Sequence, residues 1–133
     1  MQRLKTFLVE DSPIIRDNLI ATLEEIVPVT VVGWADNEAA ALAWLDDAAH
    51  PADLLIIDIF LSGQGSGLGV IQQTCNQQPR PVLVVLSNHT SADMRAHCLA
   101  LGADEVFDKS HDIDALINYC ERLAAHRAGR TSA

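Results

Sequence analysis

Five short apolar runs, most of them rich in β-branched residues, alternate along this chain with longer stretches of helical period. That alternation is the mark of βαβ units around a parallel sheet, and it leaves few folds open. The expected strands are Thr6 to Val9, Thr30 to Trp34, Leu54 to Ile57, Val82 to Leu86 and Glu105 to Phe107. Several are apolar throughout, as strands covered by helices on both faces must be. Ser12-Pro13 supplies a cap and a first-turn proline for a helix through Ile14, Ile15, Leu19 and Leu23 that stops before Pro28. Asn37 starts the second helix, Ser66 the third, Thr90 or Ser91 the fourth and Asp112 the fifth, while Gly102 ends the fourth. Right-handed crossovers leave few ways to wind such a chain, and the common five-stranded order is 2-1-3-4-5.

Length and charge narrow the function. A chain of 133 residues is one domain, and it buries roughly two-thirds of its unfolded surface without disulfides or metal staples. With 9 Lys+Arg against 18 Asp+Glu the net charge is −9, which repels phosphate backbones and speaks against direct nucleic acid binding. The apolar runs are too short for membrane insertion and no signal-peptide pattern opens the chain, so a cytoplasmic location is expected. Cys75, Cys98 and Cys120 form no CxxC pair and are expected to be reduced and mostly buried. The domain is expected to span residues 1–127, with 128–133 a short frayed tail and no output domain.

In a 2-1-3-4-5 sheet, ligands bind at the carboxyl ends of the strands, around the point between strands one and three where the winding reverses. Strand one ends in Glu10-Asp11, strand three in Asp58 and strand four in Ser87, and strand five is followed by Asp108-Lys109. The carboxylates of Glu10, Asp11 and Asp58 gathered there repel one another by about a kcal/mol per pair and call for a cation. Magnesium takes oxygen ligands and keeps several waters, whereas zinc favours His or Cys, which this rim lacks apart from His89. Mg²⁺ is the expected ion, with Mn²⁺ able to substitute.

Taken singly, each residue has a plainer explanation. Asp11 or Ser12 is a natural cap for the helix at Pro13, Asp58 a solvated turn residue, Ser87 a loop-capping hydroxyl and Lys109 a surface charge. Their shared position on one rim is what argues for chemistry. His50, His97, His111 and His126 show no ligand spacing and read as surface residues. The stretch from Gly63 to Gly69 lacks both a GKS or GKT ending and a GxGxxG window, and reads as a mobile loop with Ser66 as cap.

Together, Glu10-Asp11, Asp58 after an apolar strand, Ser87 after another and Lys109 after Gly102-Ala103-Asp104 resemble the receiver domain of two-component response regulators. The likeness runs from about Lys5 to Ala125. It implies a flavodoxin-like (βα)5 three-layer α/β sandwich in which Asp58 accepts a phosphoryl group from a histidine kinase or a histidine phosphotransfer protein. It further implies that Glu10, Asp11, Asp58 and the backbone carbonyl of Phe60 hold Mg²⁺, and that Ser87 and Lys109 hold the transferred phosphoryl oxygens. Phe60, Asn88 and His89 stand where the family contacts phosphate or tunes dephosphorylation. The implied switch region is Ser87, Val106 and Phe107, and the implied contact face is helix four, strand five and helix five.

This chain departs from the family pattern at several places. Val106 stands where an aromatic is usual, Asn88 where a very small residue is usual, Ser62 where proline is common, and Ser110 where a proline usually follows the lysine. The main expectation is a stand-alone phosphoacceptor that signals by contact with a downstream protein or by phosphorelay, and is not an enzyme in the ordinary sense. A pseudo-receiver acting as a constitutive protein-interaction module is the alternative, favoured by Val106 and Asn88. An aspartyl phosphohydrolase fits less well, because Phe60 stands where a second acid would assist the leaving group.

Overall fold

The computed structural model describes residues 3–47, 52–59, 61, 66–76, 80–88 and 91–131, with side chains described through 126. Strands β1 (Leu4–Val9), β2 (Val29–Ala35), β3 (Leu54–Ile57), β4 (Val82–Ser87) and β5 (Glu105–Asp108) alternate with helices α1 (Pro13–Ile26), α2 (Glu38–Asp46), α3 (Gly67–Thr74), α4 (Ala92–Leu101) and α5 (Ile113–Thr131). The sheet is wholly parallel in the order β2-β1-β3-β4-β5, as expected.

Successive strand side chains point to opposite faces. In β3, Leu54 and Ile56 therefore join one core cluster with Leu19 and Leu23 of α1 and Leu116 and Cys120 of α5. Leu55 and Ile57 join the other, with Ala41 of α2, Val70 and Ile71 of α3 and Cys98 of α4. β3 is buried along its whole length on both faces, which is why it reads as an unbroken apolar run.

The caps follow the sequence closely. Ser12, Asn37, Ser66 and Ser91 each accept a backbone N–H of their own helix's first turn through the side chain. Gly102 closes α4 at φ +123°, a conformation that excludes most other residues.

Ile14, Ile15, Leu19 and Leu23 all lie in α1 as expected, with Leu19 and Leu23 buried and Ile14 (74% exposed) and Ile15 exposed. Other expectations are corrected. Gly67 and Gly69 belong to α3 and not to a loop; of the rest of that stretch, 63–65 lie outside the described residues. The backbone from Ala128 to Thr131 continues α5. Four of the strands also run one or two residues longer than expected, since backbone pairing continues through Leu4 and Val29 at the amino ends and Ala35, Ser87 and Asp108 at the carboxyl ends.

Both outer strands have backbone groups occupied by charged side chains. On β2, Arg3 donates to the Val29 carbonyl at 2.7 Å and the Val31 N–H donates to Glu24 of α1 at 2.9 Å. On β5, Arg95 of α4 donates to the Val106 carbonyl at 2.6 Å.

Candidate functional site

The carboxyl ends of β1, β3, β4 and β5 meet as the winding predicts. Backbone hydrogen bonds fix the rim: the Glu10 N–H donates to Ala35 O, the Asp58 N–H to Val9 O and the Lys109 N–H to Ser87 O, at 2.9, 2.9 and 3.1 Å. From these anchored positions the side chains converge. Ser87 Oγ donates to Asp58 Oδ1 at 2.9 Å, and Lys109 Nζ donates to Asp58 Oδ2 at 2.8 Å, so each oxygen of Asp58 has a donor. Lys109 Nζ also donates to Glu10, whose other oxygen accepts the Ser12 N–H at 3.1 Å.

Glu10, Asp58 and Ser87 are buried, Asp11 and Lys109 half-buried. Carboxylate oxygens of Glu10, Asp11 and Asp58 lie within 4.8 Å of one another. One ammonium against three carboxylates leaves the cluster negative. Burial pushes the Glu10 carboxyl above its ordinary value, and the neighbouring charge of Asp58 adds to this against the opposing hydrogen bonds from Lys109 and Ser12. Burial alone would lower the Lys109 pKa, but the hydrogen bonds to Asp58 and Glu10 outweigh it and hold the ammonium charged. All ligand atoms on offer are carboxylate oxygens, which suits a hard divalent cation and not zinc.

The remaining candidates are placed unevenly. Asn88 is exposed and lines, with Lys109, a groove whose walls include Ile15 and Leu19 of α1 and Ile113 of α5. Val106 is buried on the α4 side of the sheet, whereas Phe107 lies on the α5 side, edge-on to Tyr119 with centroids 5.9 Å apart. The two positions next to one another therefore face different helices. Phe60 and His89 lie outside the described residues.

Composition and spacing do not reveal the bracing around Asp58. A Cβ on Gly67 would lie 2.2 Å from the Asp58 carbonyl oxygen and 2.8 Å from Ile59 Cα, and the Gly67 N–H donates to Ile59 O at 2.9 Å. Helix α3 thus presses directly on the backbone that carries Asp58. Glu38 of α2 braces the same end by accepting the Ser66 N–H at 2.7 Å. A glycine at a helix start was the one visible signal. Gly67→Ala is expected to destabilise the fold by about 2 kcal/mol through overpacking against rigid backbone. Urea unfolding checks this, and a stability equal to wild type would show that β3 yields without strain.

The family model for the response regulator receiver domain matches residues 6–121. The chain belongs to that family. Among curated relatives, the receiver is 30% identical over 116 residues to the response regulator protein PilR of Pseudomonas aeruginosa, covering 87% of this chain and 25% of PilR. It is 30% identical over 126 residues to a probable transcriptional regulatory protein of Picosynechococcus sp., covering 91% of this chain and 49% of that protein. Across the curated relatives reported, the receiver spans between 24% and 55% of their length. Among solved structures, the receiver domain of a DNA-binding response regulator from Colwellia psychrerythraea superposes with a TM-score of 0.80 at 19% identity, covering 92% of this chain and 98% of that one. A response regulator protein from Burkholderia pseudomallei, solved with a phosphorylated aspartic acid, calcium ion and citrate, gives 0.72 at 25% identity, covering 96% and 72%.

Proposed function

We propose that this receiver accepts a phosphoryl group on Asp58 from a phosphohistidine of a histidine kinase or histidine phosphotransfer protein, and signals through contact with a downstream protein or by phosphorelay. The observation that carries the reading is the clasp on Asp58: Ser87 on one oxygen and Lys109 on the other, inside a pocket shared with Glu10 and Asp11. Phosphoryl transfer asks a protein chiefly for in-line positioning and for positive charge where the equatorial oxygens gather electrons.

A carboxylate oxygen of Asp58 attacks phosphorus, the phosphorus–nitrogen bond to the donor imidazole breaks, and an acyl phosphate forms. Lys109, already poised at the acceptor, moves with the transferred group and pairs with its oxygens. Ser87 turns its single O–H from Asp58 to the new phosphate, drawing the end of β4 with it. Glu10, Asp11 and Asp58, with the Phe60 carbonyl, would hold Mg²⁺ or Mn²⁺, and the ion supplies charge neutralisation at the transferring phosphoryl group. The phosphorylated aspartate and calcium ion of the Burkholderia pseudomallei protein support both assignments by analogy.

The donor protein approaches along the groove between α1 and the start of α5, where Ile15, Leu19 and Ile113 offer apolar area beside Asn88 and Lys109. The face formed by α4, β5 and α5 carries the output, and the pairing with a kinase places the protein in the cytoplasm. Among the described residues no helix is long and apolar enough to cross a membrane.

Incubation with acetyl phosphate and Mg²⁺ is expected to add one phosphoryl group by mass, stable in acid and labile in base, and EDTA is expected to prevent it. No mass change with either a small donor or a kinase would favour the constitutive interaction module. Continuous turnover of phosphate esters would favour a hydrolase.

A further inference from the structure

Lys109 reaches its partners from a turn built out of side chains. Its stem has four rotatable carbons, and the residue after it is Ser110, whose φ no ring fixes. The ammonium nevertheless meets Asp58 at 2.8 Å and Glu10 as well. The residues on either side of Lys109 are clipped to each other: Asp108 Oδ1 accepts the Ser110 N–H at 2.8 Å and the Ser110 hydroxyl. Asp112, immediately before α5, accepts the Asp108 N–H through Oδ2 at 2.9 Å and returns its own N–H to the Asp108 carbonyl at 2.8 Å. Arg95 of α4 backs Asp112 at 3.8 Å while donating to Val106 O.

We propose that Asp108 is a positioning residue for Lys109, its carboxylate closing the Asp108–Ser110 turn from which the ammonium is delivered to the phosphoacceptor. The functional half of this inference rests on the reading of Asp58 given above. Charge cannot be the reason for an acid at this position, because another anion beside a site that is already negative opposes the arrival of a phosphoryl donor. Geometry is the reason: an Asp or Asn side-chain oxygen reaches the N–H two residues on, and a longer acid does not close the same ring. A shift of about 1 Å in a charged group at the reacting centre costs up to about a hundredfold in rate. A turn held by several bonds thus bears directly on the chemistry.

The test separates turn from charge with Asp108→Asn, which keeps the acceptor oxygen, and Asp108→Glu, which keeps the charge. Asp108→Ala removes both. With acetyl phosphate at saturating Mg²⁺, Asp108→Asn is expected to phosphorylate within about twofold of wild type, and the Glu and Ala variants about tenfold more slowly. Mg²⁺ binding, followed by calorimetry, is expected to be no weaker in any of them. The second readout needs no phosphorylation: the ζ-ammonium resonance of Lys109, protected from exchange while the ion pairs hold, is expected to persist in the Asn variant and disappear in the Glu variant. If Asp108→Ala does not fold, the Asn and Glu pair carries the comparison. A Glu variant as fast as wild type with its ammonium resonance intact would overturn the proposal, as would an Asn variant as slow as Glu. If wild type itself takes no phosphoryl group, the acceptor reading of Asp58 fails. The resonance then decides positioning alone: loss in the Glu variant supports it and survival overturns it.

Discussion

Asp58→Asn is expected to abolish phosphorylation outright, with no phosphoryl mass gained from acetyl phosphate under conditions that modify wild type to completion. The amide is a near-isostere whose oxygen still accepts the Ser87 hydroxyl, so the 2.9 Å contact survives, while its NH2 takes the place of the oxygen that accepts from Lys109 and leaves the ammonium to Glu10. What is lost is the anionic nucleophile and one ligand of the carboxylate cluster. The variant is therefore expected to fold as wild type does and to bind Mg²⁺ more weakly. Phosphorylation persisting on the Asn variant would move the acceptor to another residue, and peptide mapping of the modified chain would identify it.

Lys109→Met is expected to have the largest effect on stability of any change in the pocket. The ammonium is the charge partner of Glu10, which is 2% exposed, and of Asp58, and removing it leaves buried carboxylates facing each other. Breaking a buried ion pair on one side costs about 3–5 kcal/mol, and methionine replaces the stem without replacing the charge. The expected loss in urea unfolding at neutral pH without divalent ions is therefore about 3 kcal/mol.

Added Mg²⁺ is expected to recover much of that loss, and to bind more tightly than to wild type, because the variant has no ammonium competing for the same oxygens. The pH dependence has a defined sign. Glu10 titrates above its ordinary 4.5 in the folded protein, so folding favours its protonated form. The destabilisation in Lys109→Met should accordingly shrink as pH falls through that raised value. In wild type, Lys109 titrates above 10.5, so its contribution is complete at neutral pH and is lost as pH rises through the raised value. A variant as stable as wild type without Mg²⁺ at neutral pH would mean that the ammonium does not neutralise the cluster.

The parts of this protein legible from sequence are those set by periodicity and winding. Leu54 to Ile57 could be placed because a strand buried on both faces has no polar alternation. Once the strand order follows from handedness, Glu10, Asp58, Ser87 and Lys109 must share a rim although Lys109 and Glu10 stand 99 positions apart. What stayed hidden depends on how side chains fill space. Ile14 and Ile15 fit the helical spacing, but periodicity does not tell which turns of a helix find cover. Gly67 looked like loop composition, since its need for close backbone approach to Asp58 exists only once β3 and α3 are packed. The hold of Asp108 on Ser110, and of Arg95 on Val106 and Asp112, arises from individual rotamers that no pattern of residue types encodes.

The occupied outer strands have a consequence for how anything recognises this receiver. An incoming peptide that tried to extend the sheet at β2 would have to displace Arg3 and Glu24, and at β5 it would have to displace Arg95, each from a main-chain bond already made. Recognition is thereby diverted from generic main-chain pairing, which reads almost any extended sequence, to helix surfaces and loop ends whose side chains discriminate among partners. The same three residues guard the folded chain against stacking edge to edge with its own copies at high concentration.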